Sequence, residues 1–200
     1  MTVYYKYMRK IDENKKDRIK QAIFEIVDEE GIPALSFGKI AKRANVSSGT
    51  PYVYYKDKVD MLSKIYVEVK EMIDENVAGD IAKGDTIDEK LFLGINHFAK
   101  QIVKHPLEAI FMQALQSNSE LITLNAVQCG NELTKPLMDL FQEASDKDCL
   151  KTVNIEYINC LLFAPFIMMM QQYRAEKKEI DLDAVEDIIH LSVEGILKNR

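Results

Sequence analysis

Apolar residues recur along this chain at spacings of three and four, and no stretch alternates apolar and polar residues as a half-buried strand would. Ile19, Ala22, Ile23, Ile26 and Val27 stand at relative positions 0, 3, 4, 7 and 8, which is one face of an α-helix. That helix is predicted to stop at Gly31, with Pro33 just beyond it. Ser36 suits an N-cap, and Phe37, Ile40, Ala41 and Ala44 repeat the pattern over only two turns. Asn45-Val46-Ser47 reads as a tight turn, because Asn tolerates a left-handed backbone and Ser47 can cap the next helix. A third short helix is predicted over 48–54. After Asp57, another cap, Leu62, Ile65, Tyr66, Val69 and Ile73 mark a longer helix of about 18 residues.

Gly79, Asp80, Gly84 and Asp85 make 77–85 a predicted linker. Thr86 and Glu89 form a capping box before the stripe Leu91, Ile95, Phe98, Ala99 and Ile102. His105-Pro106 ends that helix, and Leu107, Ile110, Phe111, Ala114 and Leu115 carry the next to a break at Ser117-Asn118-Ser119. The segment 121–143 reads as helical, with Gly130 and Pro136 as its weak points. A helix over 152–173 is apolar almost all round in its middle, and one over 183–198 keeps Val185, Ile188, Ile189, Ser192, Val193 and Ile196 on one face. The expected fold class is all-α with about nine helices: a three-helix N-terminal module over residues 1–60, of which 1–13 form a flexible arm, and a larger helical domain over 61–200. The longest apolar run, 160–170, contains Pro165 and is half the roughly 20 residues a bilayer span needs, so no membrane partner is expected.

The net charge of −6 is unevenly distributed. Residues 1–60 hold 12 Lys/Arg against 9 Asp/Glu, and between Ser36 and Lys58 the bases Lys39, Lys42, Arg43, Lys56 and Lys58 face only Asp57. A basic module is joined to an acidic one. Cys129, Cys149 and Cys160 show no CxxC spacing, and their odd number suits a reducing compartment such as the cytoplasm. No GxSxG, P-loop or HExxH occurs, Cys160 lies in an apolar helix where thiols are inert, and neither His105 nor His190 has a ligand partner at metal spacing. No enzymatic activity, cofactor or metal is expected.

Two short helices joined by a tight turn suggest a helix-turn-helix, which places its second helix in the major groove of DNA. The segment SSGTPYVYY has the required chemistry: Ser48 and Thr50 offer short hydroxyls, Gly49 lets the backbone approach, and Tyr52 and Tyr54 can donate to phosphate oxygens. Lys58 at the next helix start can neutralise another phosphate. The run from Arg18 to Leu62 resembles the DNA-binding region of the TetR family of bacterial transcriptional regulators, matching a helix ended by Gly, a Ser/Thr cap, IAxxAxVSxGTxYxY and a following Lys without gaps. Asn45 stands where the family's turn usually has Gly.

The resemblance implies a ligand-responsive DNA-binding regulator, a repressor released from a pseudo-palindromic double-stranded operator by a small-molecule effector, and the Leu, Ile, Phe and Met of the larger domain favour a lipophilic or aromatic one. An activator of the same family, or a helical carrier that has lost DNA binding, is the alternative. It implies Ser36, Lys39, Ser47, Ser48, Gly49, Thr50, Pro51, Tyr52, Tyr54 and Lys58 as DNA-binding residues, with Ser48 and Pro51 at base-reading positions and Tyr55 in the core. Homodimerisation through the last two helices is implied as well, with Ile189, Val193 and Ile196 expected at the interface. Such a protein would work in the bacterial cytoplasm, at the nucleoid through its operator.

For the effector, Asn96, Phe111, Gln113, Glu156, Asn159 and Phe163 are the candidates, in a mostly apolar pocket. Glu156 facing inward would favour a cationic ligand, whereas Glu156 and Asn159 in the exposed first turns of their helix would not. His97 lies off its helix's apolar stripe and reads as solvated. In the arm, Tyr4, Tyr5 and Tyr7 read as a mobile tail, Arg9 and Lys10 could enter a minor groove, and Met8 offers an alternative start.

Overall fold

Gly31 ends the first helix with φ 79, a value closed to side-chain-bearing residues, while its N–H still donates to the Val27 carbonyl at 2.9 Å. The computed structural model describes the backbone of residues 2–116 and 118–198, and side chains from residue 14 onward. Among these residues lie eleven α-helices: α1 (Thr2–Glu30), α2 (Phe37–Arg43), α3 (Thr50–Tyr54), α4 (Lys58–Asp74), α5 (Val77–Ile81), α6 (Ile87–Lys104), α7 (Pro106–Gln116), α8 (Leu124–Leu133), α9 (Lys135–Asp146), α10 (Ile155–Ala175) and α11 (Leu182–Ile196). Short 3-10 turns cover Ile32–Ala34 and Ser119–Leu121, and extended pairing among the described residues is a single antiparallel bridge between Leu150 and Leu197. The all-α expectation is met. No described helix is long and apolar enough to cross a membrane.

The chain divides into two compact units, Met1–Glu71 with His105–Gly130, and Met72–Lys104 with Asn131–Arg200. Within the first unit α7 packs on α1, with the Phe24 and Phe111 rings edge to face at 5.3 Å. Residues 2–13 continue α1 where an arm was expected, as nothing between Thr2 and Asn14 is Pro or Gly. The side chains of Tyr4, Tyr5, Tyr7, Met8, Arg9 and Lys10 lie outside the described ones.

In the first unit Ile19, Ile23, Ile26, Ile40, Met61, Leu62 and Ile65 are fully buried, each such side chain stabilising the fold by about 1.5–3 kcal/mol. Ser36 caps α2, its Oγ accepting from the Lys39 N–H at 3.3 Å, and Asn45 takes φ 51 in the turn. Asp57 Oδ1 accepts from the Asp60 N–H at 2.8 Å and caps α4. Further on, the Ser63 hydroxyl accepts from the Thr123 N–H at 2.9 Å, and Gly130 lies so close to Tyr66 that a Cβ there would sit 2.4 Å from the phenol oxygen.

The chain departs from expectation at three places. The supposed linker 77–85 contains α5, started by left-handed Asn76 (φ 66) and anchored by buried Val77. The segment 121–143 is split into α8 and α9 at Thr134, with Pro136 at the second position of α9, where its missing N–H costs no helical bond. His97 is buried rather than solvated, its Nδ1 2.7 Å from Asp80 and its Nε2 2.9 Å from the Ile73 carbonyl. The capping box forms as predicted, Glu89 Oε2 accepting from the Thr86 N–H at 3.1 Å and Thr86 Oγ1 from the Glu89 N–H at 3.4 Å. Asn154 and Asp181 cap α10 and α11.

Ile189, Val193 and Ile196, expected at a dimer interface, instead face their own protomer and are 0–2% exposed. The apolar face of α11 is needed to close the core against α10 and α6, beside Ile95, Leu162 and Phe166. The large apolar residues of α11 that stay exposed are Leu182 at 45% and Leu191 at 62%.

Tyr55 is 1% exposed, as its core assignment requires, but its hydroxyl is buried without a hydrogen-bond partner among the described residues, and burial pushes its pKa well up. A buried unpaired polar group costs about 1–3 kcal/mol. Tyr55→Phe is therefore expected to leave urea stability unchanged or raise it, with helical circular dichroism as the check; a large loss would mean the hydroxyl has a partner.

Candidate nucleic-acid interface

Only five residues make up α3, and their periodicity decides what it shows to solvent. Pro51 and Tyr55, one turn apart, are buried. Ser47, Ser48, Gly49, Tyr52 and Val53 are exposed, with Thr50 and Tyr54 half-buried. Pro51 is thus a correction to the predicted base-reading set: its ring fills the inside of the helix, at the second position where proline fits a first turn.

The hydroxyls of Ser47 and Thr50 lie 2.7 Å apart and the Thr50 N–H donates to the Ser47 carbonyl at 2.9 Å, so the predicted Ser47 cap is a turn just ahead of the helix. The Tyr52 ring meets Phe37 edge to face at 4.5 Å, which braces it on α2. Lys64 donates to the Tyr54 carbonyl at 3.3 Å and lies 5.9 Å from the centre of the Tyr55 ring.

The cations divide into engaged and free. Lys58 Nζ donates to the Ile32 carbonyl at 2.9 Å, Lys39 pairs with Glu30, and Arg43 forms a fork on Glu29 at 2.9 and 2.6 Å with Glu25 at 3.4 Å. Lys42 and Lys56 are exposed, and their ammonium groups have no ion pair among the described residues. Both were visible as charge in the sequence; what was missing there was that Glu25, Glu29 and Glu30 on α1 neutralise their neighbours.

These pairs set the carboxylates' acidity. Hydrogen bonding to Arg43 holds Glu29 below the ordinary carboxylate range, and Lys64 with the Lys56 N–H does the same for Asp60. Burial pushes Glu68 up, but Lys16 and Lys20, the latter at 3.2 Å, outweigh it and leave it lowered.

The effector candidates are divided between the two units. Phe111 and Gln113 belong to the first unit, where Phe111 is core. In the second, Asn96 is buried and donates to Glu186 at 2.8 Å, while Phe163 packs edge to face on Phe98 at 5.5 Å, with Asn159 half-buried on the same helix. Glu156 is exposed in the first turn of α10, where helix capping by Asn154 places it, so the case for a cationic ligand lapses. Among the described residues no three His, Cys, Asp or Glu side chains converge to hold a metal.

Residues 19–65 match the family described as bacterial regulatory proteins, tetR family. Over 197 residues, 96% of this chain and 95% of the other, the sequence is 30% identical to the fatty acid metabolism regulator protein of Bacillus subtilis (strain 168). The chain belongs to the TetR family. A TetR family transcription regulator from Marinobacter aquaeolei VT8 has the same fold, with a TM-score of 0.83 at 19% identity over 96% of this chain and all of that one. The transcriptional regulator FadR from Bacillus subtilis, solved with stearoyl-CoA, superposes with a TM-score of 0.66 at 24% identity over 90% of this chain and 99% of that one. This TetR-family protein is therefore a DNA-binding transcriptional regulator, and its relatives are regulators rather than enzymes.

Because the paired carboxylates of the regulator's first unit have lowered pKa values, they stabilise the fold above the ordinary carboxylate range, and that contribution is lost as pH falls through their folded values. Urea midpoints are expected to be level near neutrality and to fall below about pH 4. Glu68→Gln should lower the midpoint at pH 7 and flatten the acid limb; an unchanged limb would remove Glu68 from the pairing.

Proposed function

We propose that this regulator is a homodimeric repressor that reads a pseudo-palindromic operator with residues 1–60 and binds its effector with residues 61–200, and that the effector is a long-chain fatty-acyl compound, such as an acyl-CoA. The observation that carries the reading is the similarity to the Bacillus subtilis fatty acid metabolism regulator protein, which extends along nearly all of both chains and so takes in the effector half as well as the reading head. The stearoyl-CoA held by the Bacillus subtilis FadR structure supports the same ligand class. The second unit's wealth of Phe98, Leu162, Phe163, Phe166 and Met170 suits an acyl chain, whose burial is favourable by about 0.8 kcal/mol per methylene. The effector would act by binding better to a conformation that fits the operator poorly. The site of action would be the cytoplasm.

On the head, the exposed Ser48, Gly49 and Tyr52 would meet the major groove, Ser36, Thr50 and Tyr54 the backbone, and Lys42 and Lys56 the phosphates, joined by Lys39 and Lys58 where DNA draws them from their present partners. For the dimer, α10 offers Tyr157, Leu161, Ala164 and Met168 at relative positions 0, 4, 7 and 11, with Tyr157 59%, Leu161 47% and Met168 69% exposed. Leu191 lies on α11, near an open surface at Gly195. Such stripes pair across a two-fold as a four-helix bundle. Leu161→Asp or Leu191→Asp should give folded monomers by sedimentation and circular dichroism, whereas Ile189→Asp should unfold the protein; a wild-type dimer in both surface variants would sink the assignment.

Selection of genomic fragments by the full-length protein, followed by titration with palmitoyl-CoA, tests the whole reading. The expected result is one enriched operator, released by palmitoyl-CoA but not by CoA, with about 2.7 kcal/mol of added stability at 100 times the dissociation constant. Release by neither palmitoyl-CoA nor palmitate would overturn the effector class, and failure to enrich any duplex would overturn operator reading.

A further inference from the structure

We propose that Val53 determines operator specificity by packing on the C5-methyl group of one thymine in each half-site. The inference rests on the regulatory reading above. It comes from the way α3 is turned. At 100° per residue, the buried pair Pro51 and Tyr55 has Gly49 and Val53, also one turn apart, on the opposite side. Val53 is 78% exposed, the most exposed large apolar residue of the reading head. A Cβ built on Gly49 would meet nothing within 4 Å, so no side chain holds the start of α3 away from a partner. Tyr52 beside it is braced on Phe37 and not folded over the valine as a cover.

The occupant is fixed by charge and by the chemistry of base edges. Lys42 near the end of α2 and Lys56 just after α3 are exposed bases with no ion pair among the described residues, which suits a polyanion. Within the major groove every base pair presents donors and acceptors, and the one apolar group on offer is the thymine methyl. Valine can satisfy none of the polar edges, so against guanine or cytosine it would desolvate them without a partner. Against thymine it removes apolar surface from water on both sides. An exposed Val53 therefore favours T·A over C·G at one base pair, and it does so without any hydrogen bond.

The test uses the full-length protein and the operator recovered by selection. Each thymine is replaced singly by deoxyuridine, which removes only the methyl and keeps base pairing. At one thymine per half-site, deoxyuridine should weaken wild-type binding by about four-fold, the equivalent of one buried methyl-sized group. Val53→Ala should bind the thymine operator more weakly, with an unchanged salt dependence, and should be indifferent to deoxyuridine at that position while matching wild type at every other. Val53→Thr, which keeps the branched shape, should retain sensitivity to deoxyuridine at that same thymine; its loss there would overturn the inference. Equal sensitivity of Val53→Ala and wild type at all thymines, or no sensitive thymine at all, would overturn it while leaving operator binding in place. A loss in Val53→Ala that is the same on every duplex, methylated or not, would assign the residue to folding and overturn it too. If no duplex is enriched, the regulatory reading fails and takes this inference with it.

Discussion

Asn45 holds a left-handed backbone between α2 and α3, and the Val46 N–H returns to the Ala41 carbonyl at 3.0 Å, so the chain reverses within three residues. That reversal is what brings Pro51 and Tyr55 into the apolar interior and leaves the other side of α3 in water. A longer or looser turn would let the short helix rotate, and a rotation of one residue, 100°, would bury a different set of side chains. The proposed reading surface is thus defined from its hidden side. Asn fills this role at some cost relative to Gly, but its short polar side chain is among the few that tolerate φ near 50°.

The head solves an electrostatic difficulty of its own. A protein of net charge −6 has to present a surface acceptable to a polyanion, and it does so by segregation. On α1, Glu25, Glu29 and Glu30 sit against Arg43 and Lys39 and so restrain two of the five bases near the turn. These pairs tie α2 to α1 while leaving Lys42 and Lys56 uncommitted. Exposed pairs of this kind contribute little to stability individually, and salt screens them.

The elements that the sequence disclosed are those with a local cause. Gly31, the Ser36 cap, Asn45, the Asp57 cap and the Thr86–Glu89 box each act within four residues, and each forms as expected. What stayed hidden depends on distant partners. Periodicity marked Ile189, Val193 and Ile196 as one apolar face but could not say whether α10 or a second copy covers it. His97 lies off its stripe because its polar nitrogens reach Asp80 and the Ile73 carbonyl on neighbouring segments, partners no spacing rule could supply. Pro51, expected to read bases, is buried for a similar reason: in a helix this short, phase is set by the core it docks on.

The brevity of α3 has a genetic consequence. A five-residue helix cannot persist by itself, since nucleation alone is unfavourable by a factor near a thousand. Its order is borrowed entirely from the surrounding core, so the face proposed to meet DNA exists only while that core is closed. Among alleles that lose operator control, substitutions at interior positions such as Ile19, Ile23 or Leu62 should therefore be as common as substitutions at residues facing the groove, and many should regain control at lower temperature.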